Sequence, residues 1–192
     1  MSLSGYGIQI EPLDVSHAPG FIHAYRQDPD TFRYFPEKPR STDLSDIEDF
    51  IRLRTRAGFA AHAVLFDGEF VGSSSYMDIR PEHRGLEIGH TWHCATVRGT
   101  MVYPAVKLLM LDQAIYEWEA IRVQFKTDLR NLASQNAMKK AGFTCEGVHR
   151  NHMIMPDEFI RDTIYFSVLP DEYESIRAGL LKMIETRPTP AL

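Results

Sequence analysis

The run Val97-Arg98-Gly99-Thr100-Met101 has the residue types to hold an anion. It lies between a segment that alternates like a strand and one with the apolar spacing of a helix. A helix N-terminus offers unpaired amides and the positive end of the macrodipole, and both attract phosphate. Gly99 lets backbone approach a ligand closely, and the Arg98 guanidinium can bind phosphate through two parallel hydrogen bonds. A plain strand-to-helix turn with a surface arginine is the other reading of the same residues. Other chemistries lack their residues. No GxGxxG or GxxxxGK[ST] run occurs, which removes dinucleotide and P-loop sites. There is no HExxH. His90 and His93, like His149 and His152, are three apart on expected strands and should point to opposite faces, so no metal site is expected. No GxSxG elbow is present. Cys94 and Cys145 form no CxxC pair, and Cys94 reads as a small strand residue rather than a nucleophile.

The elements that must position that turn follow from periodicity. Ile8 and Ile10 alternate in a first strand over 7–12, and Pro12 ends it. Residues 15–28 carry Phe21, Ile22 and Tyr25 on one helical face. Residues 31–40 form a loop rich in aromatics, whose Tyr34 and Phe35 either line a ligand groove or tuck under a helix. A helix is expected over 42–56, with Ser45 and Glu48 as a capping box. Strands over 60–66 and 70–79 flank Asp67-Gly68, a strong two-residue hairpin signal. The next strand spans 87–94. The longest helical signal covers 103–118, with Pro104 tolerated in its first turn. A strand at 123–127 and a short helix at 134–141 follow, and Gly142 fits a C-cap. Strands over 144–155 and 159–169 are joined by Pro156-Asp157-Glu158, and a helix over 171–186 precedes a tail at 187–192 with two prolines. This order predicts a mixed sheet, with antiparallel hairpins outside and parallel neighbours where a helix crosses over.

Taken together, these motifs resemble the GNAT acetyltransferase superfamily. Arg98-Gly99-Thr100 after a strand, then helix, strand, Asn131-x-x-Ser134 and Lys140-Ala141-Gly142-Phe143 carry the likeness. The strand Glu87-Ile88-Gly89-His90-Thr91-Trp92 and the segment Glu146-Gly147-Val148-x-Arg150-Asn151-His152 resemble the branch that acetylates protein N-terminal amines, ribosomal proteins included. The resemblance implies an α+β sandwich with a mixed, mostly antiparallel sheet of about seven strands and helices on both faces. One domain would span 7–175, with the terminal helix at 171–186 packed on it and a flexible tail at 187–192. It also implies an N-acetyltransferase that uses acetyl-coenzyme A and no metal. The diphosphate would lie on the amides of Arg98, Gly99, Thr100, Met101 and Val102, and the pantetheine arm would pair with the backbone of Trp92, His93 and Cys94 like an added strand. Asn131 would bond the pantetheine amides, and Lys139 and Lys140 would reach the adenosine phosphates. Ser134, or alternatively Tyr165, would protonate the leaving thiolate. Glu87 is the expected base, with His90 as second choice. The sequence departs from the family where Met101 replaces a second glycine. That departure leaves open a non-catalytic coenzyme A-binding or sensor module. A different donor such as succinyl-coenzyme A also remains open.

Bulk properties set bounds. The chain has 192 residues, 44% hydrophobic and 24% charged, as expected for one globular domain. The net charge of −5 argues against general nucleic-acid binding, which needs a clustered cationic excess. No apolar run approaches the roughly 18 residues of a membrane span, and no secretory signal is visible, so no membrane partner and a cytoplasmic location with reduced thiols are expected. Met1-Ser2-Leu3 is set aside from the functional reading. The partners expected are an acyl-coenzyme A, an amine acceptor that is a protein N-terminus or a small amine, and a second copy of the chain in a homodimer.

Overall fold

The computed structural model describes residues 2–56 and 58–191. Its eight strands run in the order β1 (Leu3–Gly5), β2 (Ile8–Pro12), β3 (Phe59–Phe66), β4 (Glu69–Arg80), β5 (Gly85–His93), β6 (Arg122–Asp128), β8 (Ile160–Val168) and β7 (Thr144–Ile154). The sheet has one strand more than expected. The extra one is Leu3–Gly5, too short to show a period, which pairs with Gly5 opposite Ile8. Every neighbouring pair is antiparallel except β5 and β6.

The helices are α1 (Ala18–Gln27), α2 (Leu44–Arg54), α3 (Val102–Asp112), α4 (Leu132–Lys140) and α5 (Pro170–Thr186). They cover both faces. On one, Phe21 of α1 meets Phe70 and Trp92 edge-on or tilted at 4.9–5.0 Å. On the other, the Tyr76 hydroxyl donates to the Met110 carbonyl of α3, and α5 locks onto α3 through Tyr173 and Arg177, which both bond Asp112. The core joins the two faces through Ile8, Ile10, Val64, Ile88, Val123 and Phe166.

Local chemistry explains most boundaries. Asp67 and Gly68 take φ of 48° and 86°, the left-handed pair that a type I′ hairpin needs. Pro104 sits in the first turn of α3, where its missing amide costs no ladder bond. Beyond Asp112 the helix widens into a π turn over Gln113–Glu117. The capping box at Ser45 does not form. Asp43 is the N-cap residue of α2, Ser45 lies inside the helix, and Glu48 pairs with Arg52 instead.

The parallel contact matters most for function. β5 and β6 pair only at Gly85–Arg122, Leu86–Val123 and Glu87–Gln124. Past that point they diverge and leave a wedge in the middle of the sheet. Beside it β5 is bulged. Ser73 faces Trp92 while Ser75 faces Gly89, so His90 and Thr91 together oppose Ser74, and His90 takes a φ of 49°. No helix of the described residues is long and apolar enough to cross a membrane.

Candidate active site

The wedge opens into a cleft of about 260 Å³. Its floor is the divergent edges of β5 and β6. Helices α3 and α4 flank it on one face, and Tyr34, Phe35 and Pro36 stand at the mouth on the other. Of the residues expected from the sequence, the cleft brings together Glu87, His90, Trp92, His93, Arg98, Asn131 and Ser134. Cys94, Gly99, Thr100, Met101 and Val102 continue the wall from β5 into α3 without lining it, and Lys139 and Lys140 lie exposed on the last turn of α4. Tyr165 stands one strand away, opposite Lys126.

The turn before α3 is more internally satisfied than a bare anion site. Arg98 N donates to Ala95 O, Thr100 N to Val97 O, Met101 N to Pro188 O and Val102 N to Thr100 Oγ1. The Arg98 guanidinium holds Asp28 at 2.5 Å, Thr31 at 3.0 Å and the His93 carbonyl at 3.1 Å. Gly99, with φ of 79° and open space where a side chain would stand, remains the accessible point of the turn. The tail is therefore tied down at Pro188; Leu192 lies outside the described residues.

At α4, the Asn131 carboxamide oxygen accepts the Ser134 amide at 3.1 Å and so caps the helix. Its own NH₂ group is left to donate. The preceding loop is held by buried Asp128, which bonds Arg130 through its amide, Nε and Nη2, and by Gln135, which donates to the Leu129 carbonyl at 2.7 Å.

On the face opposite α3, Glu87 is 2% exposed. Its partners are Lys126 at 2.8 Å and Gln124 at 3.3 Å. Arg122 and Arg84 are engaged elsewhere: Arg122 binds Glu146, and Arg84 approaches Glu119. Glu87 Oε1 lies over the bulge, where a side chain on Gly89 would come within 2.7 Å of it. A glycine there leaves room for a carboxylate at the vertex of the wedge. His90 and His93 face opposite ways, His90 against Phe35 and Phe59 and His93 toward Tyr103. Burial, then Arg54, Lys126, Arg56 and Arg161, push His90 down to about 2. It is a neutral ring and a poor proton acceptor. Burial, Lys107 and Arg98 hold His93 near 3.

His149 and His152 depart from the expected pattern. A register shift between His149 and Met153, with Asn151 at φ of 51°, turns both rings to one side, where they flank Tyr165 at 4.2 and 5.8 Å. The Tyr165 hydroxyl lies 3.2 Å from His152 Nε2, and burial raises its pKa. No group of three or more His, Cys, Asp or Glu residues among those described is arranged to hold a metal. Burial also lifts the Cys94 thiol to about 11, so it stays protonated.

Besides Lys126, two charged cleft residues escaped the sequence. Lys107 of α3 is 3% exposed. It donates to Thr91 Oγ1 at 2.8 Å and lies over the rings of Tyr103 and Phe125. Burial alone brings it down to about 7. The signal was present: it is the one charged residue between Arg98 and Asp112. Arg161 of β8, the other, showed no local signal.

The chain matches a family model described as the acetyltransferase (GNAT) domain over residues 8–144. Among solved structures it is similar to a candidate acetyltransferase from T. thermophilus, with 32% identity over 94% of this chain and 95% of that one and a TM-score of 0.88. The fold also matches Mycobacterium smegmatis RimJ, solved with CoA-disulfide, at 19% identity, 95% and 92% coverage and a TM-score of 0.75. It matches a Salmonella typhimurium acetyltransferase that modifies the N-terminal serine of ribosomal protein L7/L12 at 15% identity, 86% and 96% coverage and a TM-score of 0.74. No curated protein matches it significantly in sequence.

Proposed function

The chain belongs to the GNAT acetyltransferase family and is an acyltransferase; from that premise we propose that it moves an acetyl group from acetyl-coenzyme A to a primary amine, on a protein N-terminus or a small molecule. The observation that carries this reading is the parallel contact that stops after Glu87–Gln124. It leaves an unpaired strand edge inside the protein, walled by Asn131, Ser134, Trp92 and His93. A pantetheine arm supplies the extended amides that such an edge lacks. Orphaned polar atoms fit a polar guest, because neither ring nitrogen of buried His93 nor the Tyr103 hydroxyl has a partner among the described residues.

Bound acetyl-coenzyme A would bring the thioester. The residues supply the rest. Glu87, at the bulge, takes a proton from the incoming ammonium, and Lys126 holds the carboxylate in place at 2.8 Å beforehand. The backbone amides of the bulge face the forming oxyanion. The Ser134 hydroxyl, one turn beyond the Asn131 cap, protonates the leaving thiolate. Tyr165, linked to His152, is the alternative acid. Arg98 and Gly99 take the diphosphate, with Lys139 and Lys140 toward the adenosine phosphates.

A second reading, a coenzyme A-binding module without turnover, is favoured by one contact: the Met101 amide is already spent on Pro188. Titration calorimetry with acetyl-coenzyme A and thiol release with a panel of amines separate the two. Binding with turnover supports the transferase, and binding without turnover supports the module. No heat at high ligand concentration sinks both. Replacing acetyl- with succinyl-coenzyme A in the same assay tests the donor. Self-association, where it occurs, would use the outer edge at β7 or the exposed side of α5. Residence in the cytoplasm accords with a cytosolic donor.

A further inference from the structure

The cleft is cationic in a chain whose net charge is −5. Its charged lining residues are Arg98, Lys107, Lys126 and Arg161 against the single carboxylate of Glu87. Arg98 is paired with Asp28 and Lys126 with Glu87. Arg161 is different. It is 4% exposed, and its Nε donates to Thr163 Oγ1 at 2.9 Å and one terminal nitrogen to the Tyr34 carbonyl at 3.2 Å. It forms no ion pair among the described residues. Burial pulls its pKa down, and Asp128 and Glu87 offset that only from a distance. A second guanidinium, Arg54 of α2, is also 4% exposed, has one buried terminal nitrogen without a partner, and packs over Phe50 and Phe59. Phe59 in turn stacks on His90 in the cleft wall. Arg54 and Arg161 both depress His90, so their fields converge on the acceptor side.

An unpaired buried guanidinium is costly, and it repels a plain ammonium acceptor. Both problems disappear if the acceptor brings its own anion. We propose that the amine acceptor carries a carboxylate, as a free amino acid does, and that Arg161 binds that carboxylate while the amino group faces Glu87. Thr163 and Tyr34 hold Nε and one terminal nitrogen of Arg161 and fix the guanidinium plane, which leaves the other terminal nitrogen to donate to that carboxylate. Arg54 adds field without contact. Tyr34, Phe35 and Met153 beside it would receive an apolar side chain.

This rests on the acetyltransferase reading, and the test separates the two. Thiol release from acetyl-coenzyme A is measured with apolar and aromatic amino acids, their primary amides and the corresponding decarboxylated amines. The expected result is kcat/KM for the acids exceeding that for the amides and amines by ~30-fold, the size of a charge-assisted pair. In Arg161→Gln the acid-to-amide ratio should fall at least ~10-fold, and Arg161→Lys should recover part of it. A merely structural arginine would move all acceptors together and leave the ratio unchanged. Equal rates with acids and amides in the wild-type protein overturn the proposal while leaving the acetyltransferase standing. So does a preference for succinyl- over acetyl-coenzyme A with uncharged amines, which would assign the carboxylate to the donor. No thiol release with any of these acceptors, while a peptide with a free N-terminus is acetylated, overturns the proposal alone, and no release with that peptide either overturns both. The acid-to-amide comparison needs no variant, so poor folding of Arg161→Gln does not block it.

Discussion

Lys107 and Lys126 stand on opposite faces of one wedge and hold an ammonium group inside the protein in two ways. Lys126 extends from β6 onto the Glu87 carboxylate at 2.8 Å, and about a quarter of its side chain is exposed. Lys107 reaches in from α3 and finds only the Thr91 hydroxyl, itself shared with Ser74, and the faces of two aromatic rings. Hydroxyls and ring faces are weak compensation for a desolvated cation. Burial therefore brings Lys107 to about 7, at the edge of losing its charge in a neutral cell. The two differ in both partner and exposure: Lys126 has a carboxylate and some water beside it, and Lys107 has neither. That difference also divides the labour of the cleft. One face has a fixed ion pair at the vertex, suited to moving a proton, and the other has a group that gains or loses charge with small changes around it.

Breaking the pair on the Glu87 side should have the largest effect. Glu87→Gln keeps the shape and removes the base, so kcat should fall by ~10²–10⁴-fold while titration calorimetry shows nearly unchanged acetyl-coenzyme A affinity. A normal rate would leave Glu87 as a partner for Lys126 and nothing more. Next comes the acid: Ser134→Ala should lower turnover by about 10- to 100-fold with cofactor affinity intact, and a large affinity loss instead would make Ser134 a binding residue only.

The other face is sharpened by pH. A lysine whose folded pKa is lowered to about 7 from 10.5 binds fewer protons than the unfolded chain between those values. Stability then rises with pH across that window, and the burial penalty is full and constant below it. Lys107→Met should accordingly raise the melting temperature at pH 6, by on the order of 5 °C, and the gain should shrink toward pH 10. A gain that is flat over this range would mean that Lys107 stays charged throughout. The smallest effect concerns the tail. Ending the chain at Thr186 frees the Met101 amide from Pro188, and acetyl-coenzyme A should bind slightly tighter, by less than about 10-fold. Weaker binding would show that the tail builds the site instead of crowding it.

Much of the scaffold could be read from the residues because its signals are local. Asp67-Gly68 specifies its own turn, Pro104 can only begin a helix, and Gly142, at φ of 85°, takes the left-handed cap that its type favours. Arg98, Asn131 and Ser134, which line the cleft, were singled out through the family resemblance, and the divergence of β5 and β6 had no local signal. The rest depended on contacts between distant segments. α2 begins at Leu44, which leaves Ser45 inside it, and Glu48 is taken by Arg52. A bulge that nothing in His149-Arg150-Asn151-His152 announces turned two histidines to one side. The importance of Arg161 comes from Tyr34, 127 residues earlier in the chain. Burial of a charge is a property of the whole fold, and neither Arg54 nor Arg161 shows it in its neighbours.

The junction of β5 and β6 also has a mechanical side. Five strands lie on one side of it and three on the other, and three residue pairs join them. Under load the sheet should part there first, with the Glu87–Lys126 pair, the Arg161–Tyr34 bond and the bonds of Tyr173 and Arg177 to Asp112 as side-chain tethers across it. Isotope exchange would report the same seam, since amides of residues 88–93 that point into the wedge should exchange faster than those of β4, although both lie in the middle of the sheet.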